Sequence, residues 1–200
     1  DAGDGCGVLV TDKGRALLIG AGGTNTLEDL QYFLRGSELE MILLPKLNDY
    51  YAGSAFEVAE NYGPESFAAG EAENAEDRVI YADLSLLRTA PATEEILWRA
   101  ARITFFDTYT ELEIYGRKLW IVDDGAELPQ GNADVIVCGP ACEGAALSVD
   151  QYVVVSGSMD AVEAADRFRG MGTTAFPTAG LGEIIWQFRP GGGQLLKRCG

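Results

Sequence analysis

The chain of 200 residues contains no histidine. That absence removes the commonest metal ligand and the usual acid–base group near neutral pH. It also removes every Ser-His-Asp or Cys-His arrangement. Basic side chains are scarce, 15 Lys and Arg against 31 Asp and Glu, a net charge of −16. They cluster nowhere beyond Lys13/Arg15, Arg117/Lys118 and Lys197/Arg198. Binding to nucleic acid or an anionic membrane draws on a basic patch, so direct nucleic-acid binding is not expected. The acidity serves solubility. No apolar run approaches the ~20 residues that span a bilayer. No basic segment followed by an apolar stretch marks a signal peptide, and no low-complexity segment occurs. Cysteine is limited to positions 6, 138, 142 and 199, without the paired Cys-x2-Cys spacing of zinc sites. A local Cys138–Cys142 bridge, a Cys6–Cys199 bridge between the chain ends, and four buried thiols all remain open.

What is present is a chain with 47% hydrophobic residues, enough for a sizeable core. "GVLVTDKGRALLIG" reads as a β-hairpin turning at Asp12-Lys13-Gly14. In "TNTLEDLQYFLRG", Thr24 or Thr26 is expected to cap a helix with Leu27, Leu30, Phe33 and Leu34 on one face and Gly36 at its end. Met41–Leu44 is a buried strand, "GSAFEVAENYG" a short helix and "SFAAG" a short strand. Glu76–Leu87 fits either helix or strand and loop. Beyond a joint near Pro91, Ile103/Phe105, Leu112/Ile114 and Leu119/Ile121 alternate as antiparallel strands, with a turn at Tyr115-Gly116-Arg117. "ADVIVCG" and "QYVVVSG" are buried strands. "MDAVEAADRFRGMG" is a helix burying Val162, Ala165, Phe168 and the stem of Arg169. Strands at 183–188 and 194–199 close the chain. Two halves of similar rhythm, about 1–98 and 99–200, point to an α/β chain built as a four-layer αββα sandwich, one domain in two pseudo-repeated halves.

The order "GDGCGVLV…LLIGAGG…ILLPKLNDYYAG…LEIYGRKLWIVDD…ADVIVCGPACEG…QYVVVSG…GLGEIIWQF" resembles the metallo-β-lactamase-type domain. More narrowly, it resembles the version in bacterial competence (DNA-internalisation) membrane proteins. The resemblance covers essentially the whole chain and implies a metallo-β-lactamase-like αββα sandwich. In relatives two divalent metals activate a water for hydrolysis. It further implies a segment of a longer membrane protein, an extracytoplasmic location, and partners among the parent's other domains and the DNA-uptake machinery.

Against that pattern the chemistry is missing. The family's metal loop, S-H-x-[DH]-x-D-H-x-G-G, falls on Leu44–Gly53. Its histidines fall on Pro45 and Tyr50, its second ligand on Leu47 and its aspartate on Asp49. Ala52 replaces the first glycine, and Gly20 stands for an aspartate of the L-I-D-x-G strand end. The bridging aspartate is Asp124, or Asp123 with a one-residue shift, and two later histidines fall near Pro140 and Ala141. The remaining donors, Asp49, Asp123 or Asp124, Cys142 and Tyr50, suit at most a weakly held, hydrated divalent cation. No catalytic residue and no cofactor is expected. The leading expectation is a non-catalytic domain with a structural or docking role. The rivals are a metal-dependent hydrolase or nuclease with a non-standard site around Asp49 and Asp124, and a stand-alone ligand-binding module. Other motifs are weaker. "GAGGTN" before a helix suggests phosphate cradling but lacks the P-loop lysine, so a tight strand-to-helix turn is expected. Ser156 has no base in reach by sequence. Asp123-Asp124 with Glu111/Glu113 could form a glycosidase carboxylate pair, although acids are abundant throughout. Tyr50, Tyr51, Phe56 and Tyr62 are expected either to fill the vacated pocket as core or to line a cleft.

Overall fold

The computed structural model describes residues 5–70, 72, 74–84, 95–144, 147, 150–179, 184–189 and 192–197. The chain divides into two compact units, Ala2–Thr93 and Glu94–Gly200, the latter with Asp1.

The first unit runs β1 (Val8–Asp12), β2 (Arg15–Ile19), α1 (Thr26–Leu34), β3 (Glu38–Leu44), α2 (Asp49–Ala52), α3 (Ala55–Tyr62), β4 (Ser66–Ala69) and α4 (Ala75–Leu84). Its sheet has the order β1-β2-β3-β4. β1 and β2 pair antiparallel across a two-residue turn, where Lys13 and Gly14 both take positive φ. β2, β3 and β4 are parallel, with Leu18 opposite Ile42 and Ile42 opposite Phe67. Ala16, Leu18, Ile42, Leu44 and Phe67 form one apolar face, packed with Leu30 and Leu34 of α1 and Val58 and Ala59 of α3. The alternate residues Leu17, Ile19, Leu43 and Ala68 are also buried. Strands buried on both faces read as continuous apolar runs, as "ALLI" and "MILL" do.

One local expectation is corrected here, one is refined and one open alternative is decided. Neither Thr24 nor Thr26 caps α1; the N-cap residue is Asn25, without a side-chain bond. Thr26 is already helical, and its hydroxyl donates back to Gly22 O at 2.5 Å. The helix ends in two residues of positive φ, Arg35 at the C-cap and the expected Gly36 after it. Of the ambiguous segment 76–87, Ala75–Leu84 is helix; residues 85–87 lie outside the described ones.

The second unit runs β5 (Glu95–Trp98), β6 (Ala101–Phe105), β7 (Tyr109–Ile114), β8 (Arg117–Val122), β9 (Val135–Cys138), β10 (Tyr152–Val155), α5 (Met159–Gly170), β11 (Thr174–Pro177), β12 (Ile184–Arg189) and β13 (Gly192–Lys197). A seven-stranded sheet has the order β11-β10-β9-β8-β7-β6-β5. β5 to β8 are antiparallel neighbours, and β8 to β11 are parallel. β12 and β13 form a separate hairpin. β5 pairs with β6, which places Glu95–Trp98 with the second unit. α5 buries Ala161, Ala164, Ala165 and Phe168 in a cluster with Ile136, Val153, Val155 and Ala175. Val162, expected on that face, is only half-buried and Arg169 is exposed. Small residues at three of the four buried positions let the helix sit close to the parallel strands. β11 was not anticipated: four residues in a parallel pairing show no alternation that sequence reading could detect.

Candidate functional site

In the first unit, the β3–α2 connection carries Pro45 and Leu47, and α2 opens with Asp49 and Tyr50. The strand delivers Leu44 fully buried, and Leu47 turns inward at 2% exposure as part of the apolar cluster. Asn48 then caps the single turn of α2, its Oδ1 accepting Tyr51 N at 3.1 Å. Asp49, the one acid in the segment matched to the metal loop, is exposed, and its carbonyl accepts Gly53 N at 3.1 Å.

Backbone pairing fixes this connection. Cys6 N donates to Tyr50 O at 2.8 Å, Ala21 N to Tyr51 O at 2.6 Å and Ser54 N to Ala21 O at 2.7 Å. The approach is tight enough that a Cβ on Gly22 would lie 1.8 Å from Tyr50 O. Ser54 Oγ donates to Gly23 O at 2.5 Å. These bonds also decide the glycine-loop motif. The amides of Gly20, Ala21 and Gly22 already serve Leu43 O, Tyr51 O and Cys6 O. "GAGGTN" is a strand-to-helix turn, with those donors consumed internally rather than presented to a phosphate.

The four aromatic residues do not gather into one cluster. Tyr50 and Tyr51 meet edge to face with ring centroids 4.9 Å apart, and Tyr51 is fully buried. Phe56 is exposed, and Tyr62 donates its hydroxyl to Leu27 O at 3.3 Å. Burial raises the Tyr62 phenol above its ordinary pKa.

In the second unit, the β8–β9 connection and the turn after β9 bring Asp124, Pro140 and Ala141 together. Ala141 N donates to Asp124 Oδ1 at 3.2 Å. The Asp124 carboxylate rests on Gly139, where a Cβ would come within 2.0 Å of Oδ1. Pro140 packs toward Gly157, and Arg167 donates to Pro140 O at 2.8 Å. Asp123 is buried at 7%, its carbonyl accepting Ala126 N at 3.0 Å and Cys142 Sγ at 3.1 Å. Ser156 is buried at the end of β10, its amide donating to Cys138 O at 2.8 Å. Glu111, proposed from sequence as one of a carboxylate pair, receives Lys118 Nζ at 3.0 Å on each oxygen and Trp120 Nε1 at 2.7 Å. It is the anchor of an ion pair. That hydrogen bond raises the Lys118 ammonium above its ordinary pKa, and burial raises the neighbouring Tyr109 phenol.

Two contacts escaped the sequence reading. The Asn48 cap had a usable signal, an Asn three residues ahead of the donor it accepts from. The Ala141 amide on Asp124 had none, because it depends on where the turn after β9 folds.

No family model matches this sequence, and no curated protein matches it. Among solved structures the chain is similar to Igni18, a novel metallo hydrolase from the hyperthermophilic archaeon Ignicoccus hospitalis KIN4/I. The TM-score is 0.56 with 12% identity, over 98% of this chain and 97% of that one. The chain therefore has a metallo-hydrolase fold, mixed α/β with two principal sheets, in keeping with the metallo-β-lactamase-like expectation. At that identity the likeness carries fold and not chemistry. The residues present do not fit a dinuclear metal centre. Pro45, Leu47, Gly20, Pro140 and Ala141 carry no side-chain donor, and Leu47 is committed to the core. Among the described residues, no three His, Cys, Asp or Glu side chains gather as a metal-holding group.

Proposed function

We propose that the chain is a non-catalytic metallo-β-lactamase-like domain of a competence-type, DNA-uptake membrane protein, acting as structure or as a docking surface. The observation that carries the non-catalytic part is the β3–α2 connection. It keeps the frame of a metal loop, yet Leu47 faces the apolar core and Asn48 serves as a helix cap. Both are residues committed to folding rather than to ligation. The Asp124 carboxylate likewise has an amide donor in the turn that stands where two histidines would be. The competence assignment rests on the whole-chain order of motifs. It places the domain outside the cytoplasm, with the parent protein's other domains and the uptake machinery as partners.

The test is metal analysis of the purified protein together with phosphodiesterase assays on an aryl phosphodiester and on DNA, with zinc or manganese supplied. Metal well below one ion per chain and rates equal to the buffer are expected. One or more tightly held ions with activity abolished by Asp49→Ala or Asp124→Ala would establish the hydrolase reading instead. A parent gene encoding no apolar spans beside this segment would remove the competence assignment and leave a stand-alone module.

A further inference from the structure

The second unit carries a pair of thiols that the reading above does not use. Cys138 ends β9 and Cys142 follows a turn of three residues, Gly139-Pro140-Ala141, closed by Cys142 N on Gly139 O at 3.3 Å. Both are thiols, both are buried, and both belong to the cluster under α5. Cys142 Sγ donates to Asp123 O at 3.1 Å. The turn between them is the one whose Ala141 amide holds Asp124 Oδ1.

We propose that Cys138 and Cys142 are a reversible dithiol–disulfide pair that sets the conformation of the Gly139–Ala141 turn and, through it, the hold on Asp124. Two thiols in one buried cluster, joined by a closed three-residue turn, can reach the ~2.05 Å of a disulfide by side-chain rotation and a backbone shift. Oxidation removes both S–H donors, leaves the Asp123 carbonyl with the Ala126 amide alone of its two donors, and draws the two ends of the turn together. The Ala141 amide cannot keep its place on Asp124 through that change. The bridge closes a very short loop and so constrains the unfolded chain little. A bridge that contributes little stability is readily reduced, as regulatory disulfides are. Separately, the Cys142 thiol is held below its ordinary pKa, first by the Cys138 hydrogen bond and further by the Gly125 and Gly139 amides, against burial and the Asp124 charge. Thiolate character is what thiol–disulfide exchange requires.

The step balances with a small-molecule disulfide such as oxidised glutathione. Cys142 thiolate attacks one of its sulfurs, forming a mixed disulfide and expelling one glutathione thiolate. Cys138 thiolate then attacks the Cys142 sulfur, forming the internal bridge and expelling the second. The protein gives up two thiol protons, and the oxidised glutathione becomes two reduced molecules. Ala141 and Glu143 are exposed on either side of Cys142, so opening of the turn alone admits the reagent. The inference stands whether or not the domain belongs to a membrane protein.

The experiment equilibrates the whole chain in glutathione buffers of graded ratio, quenches with acid, and alkylates with maleimide under denaturing conditions. Peptide mapping then locates each cysteine. The peptide spanning Cys138 and Cys142 is expected to shift from doubly alkylated to internally bridged as the buffer becomes oxidising, and to return on reduction. In Cys142→Ser, Cys138 is expected to carry at most a glutathione adduct. Double alkylation in every buffer, or bridging of either residue to Cys6 or Cys199, overturns the proposal. Should Cys142→Ser fail to fold, the wild-type titration decides alone.

Discussion

At the scale of single residues, the β3–α2 connection is held by backbone more than by side chains, and that makes its glycine contacts severe. A Cβ on Gly22 meets a carbonyl oxygen and cannot be absorbed by a rotamer change, since Tyr50 O is already bonded to Cys6 N. Gly22→Ala is therefore expected to cost at least the upper end of the about 1–3 kcal/mol typical of overpacking. Asp49→Ala, by contrast, alters an exposed side chain and should stay within about 0.5 kcal/mol of wild type. Urea unfolding of the two variants checks the contrast; equal effects would mean that the connection is not fixed as described. A second prediction concerns Lys118 and Tyr109. Both have native pKa values raised, Lys118 first by its hydrogen bond to Glu111 and Tyr109 first by burial. A raised native pKa gives stability that is complete below the unfolded value, about 10.4 for Lys and about 10 for Tyr. That stability is lost as pH rises through the native pKa. The urea midpoint is thus expected to fall above about pH 10. Glu111→Gln should flatten that fall, because it removes the carboxylate that raises Lys118 and also contributes to raising Tyr109. An unchanged alkaline slope in that variant would show that the ion pair is not the cause.

At the scale of elements, α5 shows which features sequence could and could not foretell. Its existence followed from apolar spacing, but the buried face is Ala161, Ala164, Ala165 and Phe168 rather than one running through Val162. The shift is about one residue, and alanines carry too little hydrophobic contrast to mark the face from periodicity alone. The same reasoning covers the strands. β7 alternates half-buried and buried residues, and β8 is buried from Leu119 to Val122, so both strands and the Tyr115-Gly116 turn between them were legible. β11 was not, being a four-residue piece whose conformation is imposed by its neighbour β10. Of the candidate site, the lack of side-chain donors at Pro45, Leu47, Pro140 and Ala141 is a property of the sequence itself. The backbone bonds that hold each loop were not legible, because they join segments distant in sequence. The packing of α5 gives a prediction. Ala164 is fully buried, and the neighbouring cluster offers it no exposed margin. Ala164→Leu should destabilise by about 1–3 kcal/mol. Val162→Leu, at a half-buried position, should change stability by less than about 1 kcal/mol. Thermal melts of the two variants that reversed this order would place the buried face of α5 elsewhere.

At the scale of the whole molecule, charge is the property that local contacts do not describe. Exposed pairs such as Arg15–Glu38, Arg102–Glu95 and Arg169–Asp166 each contribute little, about 0–1 kcal/mol, and salt weakens them. Opposing them is the repulsion among acids. Even were every base paired, sixteen carboxylates would stand uncompensated. Repulsion of that kind acts on the compact state and relaxes on unfolding, so screening it favours the fold. The screening length is about 30 Å at 0.01 M salt and about 10 Å at 0.1 M, so most of the change comes below physiological ionic strength. The thermal midpoint is therefore expected to rise as sodium chloride goes from about 0.01 M to about 0.15 M and to level off beyond. Chloride is the appropriate salt, since sulfate would strengthen apolar burial at the same time. The same field opposes association with DNA, so no salt-sensitive binding to a random duplex is expected at low ionic strength. A midpoint that falls with added chloride would mean that the ion pairs outweigh the excess acid. Binding to duplex DNA that is lost on adding salt would mean that a local basic surface overcomes the net charge, and would turn the docking role toward nucleic acid.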